Sequence, residues 1–110
     1  MIDALRKQIG GPRDGALLRF SLGQMLLNVG NVAAAVESLR AALAFDPDYS
    51  AAWKLLGQAL LQDNDRIAAT AAWQHGISVA TTHGDTQAAK EMTVFLRRAQ
   101  REVSSDAVPD

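Results

Sequence analysis

The residues that could support acid–base or metal chemistry are few and widely spaced in this chain of 110 residues. His75 and His83 are its only histidines, and their separation of eight residues (83 − 75) is not a usual metal-ligand spacing. We expect His75 to pack or to face solvent, and His83 to lie in a turn. Asp63 and Asp65 fit a turn and a helix cap. The sequence has no paired-carboxylate, activated-serine or phosphate-loop pattern, so it predicts neither an enzyme nor a metal or cofactor site.

The overall charge and composition narrow the class of partner. The formal net charge is −1 and the isoelectric point is about 6.1, whereas a domain that binds nucleic acid through its phosphates carries a basic excess. The chain has no cysteine, which excludes disulfides and thiolate metal sites. Residues 1–10 lack the apolar segment of a signal peptide, and no stretch is long enough to span a membrane. We therefore expect one cytoplasmic domain that binds neither nucleic acid nor membranes.

Apolar residues recur at helical spacing through six segments, which are separated by glycine, proline, asparagine or aspartate. The pattern predicts an all-α fold with helices over about 2–9, 14–29, 32–45, 49–62, 66–82 and 86–103. Asn31, Asp48 and Asp65 precede three of these helices and are predicted to cap them. Residues 104–110 have little apolar content and are predicted to form a disordered tail.

Several short sequences recur in the chain at one fixed distance. Leu22-Gly23-Gln24 recurs as Leu56-Gly57-Gln58, Leu26-Leu27 as Leu60-Leu61, and Ala34-Ala35 as Ala68-Ala69. The offset of 34 residues (57 − 23) is the period of tetratricopeptide repeats, and the residues at the repeat positions resemble that family's consensus. The resemblance implies antiparallel helical hairpins stacked as a right-handed α-solenoid.

Two glycines inside predicted helices indicate where paired helices approach each other. Glycine at Gly23 or Gly57 costs about 1 kcal/mol relative to alanine in a helix, so a packing reason is required. Trp53 and Trp73 are predicted to be stability residues, because truncating a buried tryptophan costs roughly 3–5 kcal/mol. The predicted structural positions of the two repeats are Leu22, Gly23, Leu26, Ala35, Leu39, Ala42, Pro47, Trp53, Leu56, Gly57, Leu60, Ala69, Trp73 and Gly76.

Two positions depart from the family's pattern. Arg19 stands where the first repeat would carry a tryptophan, which suits an end repeat that faces solvent. Thr81 replaces the closing proline of the second repeat, so we expect the helix before it to run longer. The predicted organisation is a leading helix and linker at 1–13, repeats at 14–47 and 48–83, a capping helix at 84–103 and a tail at 104–110.

The resemblance also implies a peptide-binding groove lined by the first helix of each repeat. The residues that fall there are Leu17, Phe20, Gln24, Leu27, Asn28, Ala51, Lys54, Gln58, Leu61 and Gln62. The amides of Gln24 and Gln58 suit recognition of a peptide backbone, although they could equally be polar residues on a half-exposed face. The leading helix could cover part of this surface, because Ile2, Leu5 and Ile9 need a place to pack.

The groove lacks one basic residue that some relatives use, and the last helix carries several basic residues. Phe20 occupies the place of a lysine with which some relatives hold a chaperone's C-terminal carboxylate, and this substitution argues against such binding. Lys90, Arg97 and Arg101 share one side of the last helix, with Arg98 nearby. They could meet an acidic partner or nucleic acid, or form a solvated face whose charge is diluted by the glutamates Glu91 and Glu102.

These observations predict a non-catalytic module that binds a protein or peptide in a preformed groove. The alternative is a structural module that self-associates through exposed end faces, because two repeats are fewer than the three that such stacks usually need. We therefore expect a monomer or a weak homo-oligomer. The sequence does not identify the partner.

Overall fold

The part of the chain that the structure describes folds into six α-helices. The structure, a computed structural model, describes the backbone of residues 1–107 and the side chains of residues 1–102. Within that range it contains no strand, and no helix is long and apolar enough to span a membrane. The helices are α1 (Ile2–Arg6), α2 (Ala16–Asn28), α3 (Val32–Phe45), α4 (Ser50–Gln62), α5 (Arg66–Thr82) and α6 (Thr86–Ala107).

The helices form an elongated stack of hairpins. α2 packs against α3, α4 packs against α5, and the two pairs meet where α3 contacts α4. α6 lies against α5 and also touches α4, while α1 contacts α2 at the opposite end. The molecule measures 55 × 31 × 17 Å, as expected for hairpins stacked in one direction. The predicted all-α solenoid is confirmed.

α2, α4 and α5 each end in a turn of the same type. Gly30 and Gly84 follow α2 and α5 with φ of 83° and 74°, in the left-handed region that favours glycine. Asn64 follows α4 with φ of 61°, which asparagine tolerates better than most side chains. In each turn the next backbone N–H donates back to a carbonyl in the last turn of the helix, as when the N–H of Asn31 donates to Leu26 at 2.9 Å. These turns reverse the direction of the chain within a few residues and so make adjacent helices antiparallel.

The helix caps differ in part from the prediction. Asp65 caps α5 as predicted, because its carboxylate accepts a hydrogen bond from the N–H of Ala68 at 3.1 Å. Asn31 is the N-cap residue of α3, but its side chain makes no capping hydrogen bond. The prediction for Asp48 is wrong, since Tyr49 is the N-cap residue of α4. Asp48 belongs to the preceding turn, where its own N–H donates to the carboxylate of Asp46 at 3.0 Å.

Small residues allow the helices of each hairpin to approach closely. A Cβ atom at Gly23 would lie 2.8 Å from Cγ of Leu39, and one at Gly57 would run into the indole of Trp73. Trp73 is 1% exposed, and its Nε1 donates a hydrogen bond to the carbonyl of Lys54 at 3.1 Å. The core therefore alternates bulky side chains with alanine and glycine, so that each large residue fills the space left by a small one.

α1 covers the end of the stack. It is shorter than predicted and ends at Arg6, after which residues 7–9 form turns. Ile2 and Leu5 pack against the buried cluster of Leu22, Leu26 and Ala35. This position shields part of the first hairpin from solvent at the end of the stack opposite α6.

Arg19 is half-buried and not fully open to solvent, because it has partners on its own hairpin. Its guanidinium donates two hydrogen bonds to the carboxylate of Asp14, at 2.8 and 3.0 Å, and lies 5.9 Å from the centre of the Phe45 ring. Asp14 also accepts a hydrogen bond from the N–H of Gly10 at 2.8 Å. The pair thereby fastens the turn after α1 to the start of α2.

The Asp14–Arg19 pair is expected to make stability depend on pH. The carboxylate of Asp14 accepts hydrogen bonds from Arg19 and from the N–H of Gly10, and these hold the pKa of Asp14 well below its usual range. A lowered pKa in the folded state means that this stabilisation is present above the unfolded pKa of about 4 and is lost as the pH falls further. Asp14→Asn should therefore lower the free energy of unfolding at pH 7, and this loss should shrink in acid. Urea unfolding at pH 7 and in acid measures the two losses, with substitution of the exposed Asp63 by asparagine as the control. An equal loss of stability at pH 7 and in acid would contradict the prediction.

α5 and α6 are the two longest helices of the described chain. α5 has 17 residues against 14 in α3, which confirms the longer helix expected from Thr81. α6 continues to Ala107, so residues 104–107, which were predicted to begin a disordered tail, are helical. No glycine or proline interrupts α6, and once the helix is nucleated each added residue contributes a further backbone hydrogen bond. The rest of the predicted tail, residues 108–110, lies outside the described residues.

Candidate binding groove

The groove lies between α2, α4 and α6, near the ends at which α2 and α4 terminate. These helices run in the same direction because each is separated from the next by one antiparallel helix. The groove has a volume of about 530 Å³. Its lining residues are Leu27, Asn28, Leu55, Gln58, Leu61, Gln62, Trp73, Phe95, Arg98, Ala99 and Glu102.

Apolar side chains in the groove are held by the core beneath them. The ring centroid of Phe95 lies 5.6 Å from that of Trp73, which is itself buried and hydrogen-bonded. Leu27, Leu55 and Leu61 pack against the same core and remain half-buried. Because these side chains are fixed by packing below, the apolar surface is already formed before any ligand binds.

The polar groups of the groove are amides and one pair of opposite charges. Asn28, Gln58 and Gln62 each offer both a donor and an acceptor. The carboxylate of Glu102 lies 3.3 Å from the guanidinium of Arg66 on α5, so its charge is already compensated. Arg98 is exposed and forms no ion pair within the part of the chain whose side chains are described. The uncompensated charge of the groove is therefore positive.

The structure brings part of the predicted groove set together. Leu27, Asn28, Gln58, Leu61 and Gln62 line the groove. The remaining predicted residues do not line it; they are Leu17, Phe20, Gln24, Ala51 and Lys54.

Two of the residues outside the groove already have partners on neighbouring helices or loops. The ring of Phe20 stacks on that of Tyr49 with centroids 5.0 Å apart, which fills the space between α2 and the start of α4. The Nζ atom of Lys54 lies 3.2 Å from the carboxylate of Glu91 on α6. This ion pair spans α4 and α6 and removes Lys54 as a free groove cation. Leu17 is 69% exposed, so α1 does not cover it.

Sequence reasoning missed the contribution of α6. Phe95, Arg98 and Glu102 follow the spacing i, i+3, i+7, which places them on one face of the helix. The sequence predicts α6 as a capping helix and places none of its residues in the groove, whereas in the structure α6 takes the position of the first helix of a third repeat and forms a third wall of the groove. The spacing of these three residues along α6 can be read from the sequence, but the distance between α6 and α4 cannot.

The two histidines lie elsewhere. His75 packs its ring against Trp53, with centroids 4.2 Å apart, on α4 and α5. The Nε2 atom of His83 lies 3.4 Å from the carboxylate of Asp48, which joins the turn after α5 to the turn before α4. Both contacts connect elements of the scaffold, and neither residue lines the groove.

Comparison with known proteins extends over almost the whole chain. A family model described as tetratricopeptide repeat matches residues 16–59. A TPR repeat-containing protein of Pseudomonas aeruginosa is 48% identical over 101 residues, which cover 92% of this chain and 96% of that protein. Since this leaves only nine residues of the chain outside (110 − 101), the similarity includes most of α6.

Solved structures give the same result. A solution structure of a protein from Bordetella parapertussis has a TM-score of 0.81 and 44% identity, and covers 93% of this chain and 89% of that one. The solution structure of a tetratricopeptide repeat domain protein from Salinibacter ruber has a TM-score of 0.73 and 25% identity, with 80% and 88% covered. The overall fold is therefore shared with these proteins.

Proposed function

We propose that this chain, which belongs to the tetratricopeptide repeat family, holds a peptide segment of a partner protein in the groove between α2, α4 and α6. Proteins of this family generally serve as scaffolds for protein–protein interaction. The proposal assigns the protein no catalytic step and places it in the cytoplasm. Its supporting observation is the combination of an apolar floor and an amide rim in one preformed groove.

The groove suits a short segment with apolar side chains. Leu27, Leu55, Leu61 and Phe95 supply apolar surface that a ligand would remove from water, which favours binding by roughly 25 cal/mol for each Å² buried. Because Phe95 is braced by Trp73, little side-chain freedom is lost when the ligand enters. The amides around this floor can satisfy the peptide N–H and carbonyl groups that would otherwise lose their hydrogen bonds to water.

Arg98 adds a preference for negative charge. It lines the groove beside the compensated Glu102 and is available to a ligand carboxylate. The segment that fits best therefore combines apolar residues with one aspartate, glutamate or chain-terminal carboxylate. An arginine can bind such a group through two parallel hydrogen bonds.

We expect Leu61→Lys to weaken peptide binding at least about tenfold, because it places a charge on the apolar floor and removes about 1.5–3 kcal/mol of side-chain burial. Peptides would first be selected from a random displayed library with the native protein, and their affinities measured by calorimetry. The matched control is Leu17→Lys, since Leu17 is exposed on α2 outside the groove. Equal weakening by both variants would contradict the proposal.

Arg98→Glu tests the charge preference with the same peptides. Selected peptides that carry a carboxylate should bind this variant less tightly, while versions with glutamine in place of the acidic residue should bind both proteins alike. Gln24→Ala provides the polar control, because Gln24 is exposed and does not line the groove. Circular dichroism would verify that every variant is folded.

Self-association is the second candidate. A shallow apolar recess at the α1 end is lined in part by Met1, Ile2, Met25 and Val29, and Met1 and Val29 are 85% and 68% exposed. Two copies could cover these residues by pairing. Light scattering over a range of concentrations distinguishes the candidates, since a molar mass that rises towards that of a dimer favours self-association.

A further inference from the structure

The outer face of α6 carries a row of cations. Lys90, Arg97 and Arg101 are exposed, with Val94, 45% exposed, between them. Their spacing from Lys90 is 4, 7 and 11 residues, which places all four side chains on one side of the helix. The row spans about 16 Å at the helical rise of roughly 1.5 Å per residue.

The acidic residues of α6 do not neutralise this face. Glu91 points towards α4, where its carboxylate lies 3.2 Å from Lys54, and Glu102 lies 3.3 Å from Arg66 on α5. The sequence suggested that these two glutamates dilute the basic charge, but the fold directs both towards other helices. Among residues 1–102, Lys90, Arg97 and Arg101 form no ion pair.

None of the helices in residues 1–107 lies against the same side of α6. α2 has α3 beside it and α4 has α5 beside it, whereas the second helix that would complete a third hairpin is missing from the described chain. Ala89 and Thr93 are half-buried small residues at the edge of the basic row. Small side chains at this edge permit a helix to approach, as Gly57 does for α5.

We propose that the outer face of α6 binds an acidic helical segment of a partner protein, which lies along α6 as the second helix of a third hairpin. Glutamates at four-residue and seven-residue spacing on that segment would face Lys90, Arg97 and Arg101. An apolar residue at its centre would cover Val94. This surface is separate from the groove and does not depend on the function proposed for it.

The charges and the apolar content of the face favour this partner over others. The whole chain has a net charge of −1, which would oppose a long polyanion such as nucleic acid beyond these three cations. Val94 is the only apolar residue exposed in the row, whereas a helix that lies in a membrane surface needs a broad apolar face. Two copies of the same basic row would repel each other in a symmetric pair.

The test uses a fluorescent synthetic peptide of about 20 residues, long enough to form a helix, with glutamates at this spacing and a central leucine. A second peptide has glutamine in place of every glutamate. Fluorescence anisotropy should show binding of the first peptide that weakens with added salt, and much weaker binding of the second. Reversal of the row, by Lys90→Glu with Arg97→Glu and Arg101→Glu, should weaken binding about tenfold or more, as expected from the loss of three exposed ion pairs and from new repulsion.

The matched control changes the net charge by the same amount at the α1 end of the molecule, by Arg6→Glu with Lys7→Glu and Arg13→Glu, all of them exposed. It should leave binding within about twofold of the native value, because its charges lie beyond a Debye length of roughly 10 Å. Glutamine at the three α6 positions is the second variant; it keeps helix propensity and should weaken binding less than the reversal. Equal loss with the control variant, equal binding of both peptides, or tighter binding of single-stranded DNA than of the acidic peptide would overturn the proposal.

Discussion

Replacement of Trp73 by alanine is expected to lower the free energy of unfolding by about 3–5 kcal/mol, because Trp73 is the largest fully buried side chain among the described residues. Trp73 is 1% exposed and contacts both Gly57 on α4 and Phe95 on α6. Its removal leaves a cavity where two hairpin helices and the last helix meet. It also leaves the carbonyl of Lys54 without the hydrogen bond from Nε1. Since domains of this size are stable by only about 5–15 kcal/mol, a large share of the stability would be lost.

Urea unfolding followed by circular dichroism measures this loss, and Trp53→Ala is the informative comparison. Trp53 is half-buried, and its Nε1 donates to the carbonyl of Pro47 at 2.8 Å near the surface. Its truncation should cost only about 1.5–3 kcal/mol, because less apolar surface returns to water. A smaller loss for Trp73→Ala than for Trp53→Ala would contradict the central position assigned to Trp73.

Gly57→Ala is expected to lower the free energy of unfolding by about 1–3 kcal/mol, although alanine is the better helix former. Helix propensity alone predicts a gain of up to about 1 kcal/mol, so the two effects differ in sign. The added Cβ would run into the Nε1 side of the Trp73 indole. That ring cannot move aside, because it is enclosed and hydrogen-bonded to the backbone of α4.

A double-mutant cycle identifies the cause of this loss. In a Trp73→Phe background the indole Nε1 is absent, and Gly57→Ala should then cost less than in the native protein. Equilibrium unfolding of the four proteins gives the coupling energy, which is expected to reach about 1 kcal/mol for side chains in direct contact. A cost that is equal in both backgrounds, or a stabilising Gly57→Ala, would show that close approach at this position is not what requires glycine.

The groove and the outer face of α6 would allow this small protein to contact two segments at once. Phe95 and Arg98 belong to one side of α6, and Lys90 and Arg97 to another. Both surfaces depend on α6 keeping its position, which the Lys54–Glu91 and Arg66–Glu102 ion pairs help to fix. Partly exposed ion pairs contribute little stability by themselves, so packing of Met92 and Ala99 into the core supplies most of what holds α6.

Local features were predicted well because they depend on neighbouring residues. The offset between Leu22-Gly23-Gln24 and Leu56-Gly57-Gln58 established the repeat and with it the all-α solenoid. Asp65 was predicted correctly as a cap, because a cap acts only on the first turn of its own helix. The prediction for Asp48 was wrong by one residue, since Asp46 forms a competing turn that sequence spacing does not exclude.

The succession of helices, their pairing and the positions of the small residues can be read from the sequence, because helical periodicity, turn residues and a repeat all act over short distances along the chain. Which surfaces remain open depends on how the hairpins pack against one another. Phe20 and Lys54 were predicted to line the groove, but they contact Tyr49 and Glu91 outside it. Phe95 and Arg98, both on α6, line the groove in the structure. Partners separated by 37 residues, such as Lys54 and Glu91, are chosen by how the hairpins stack, and the spacing of either residue within its own helix does not reveal the other.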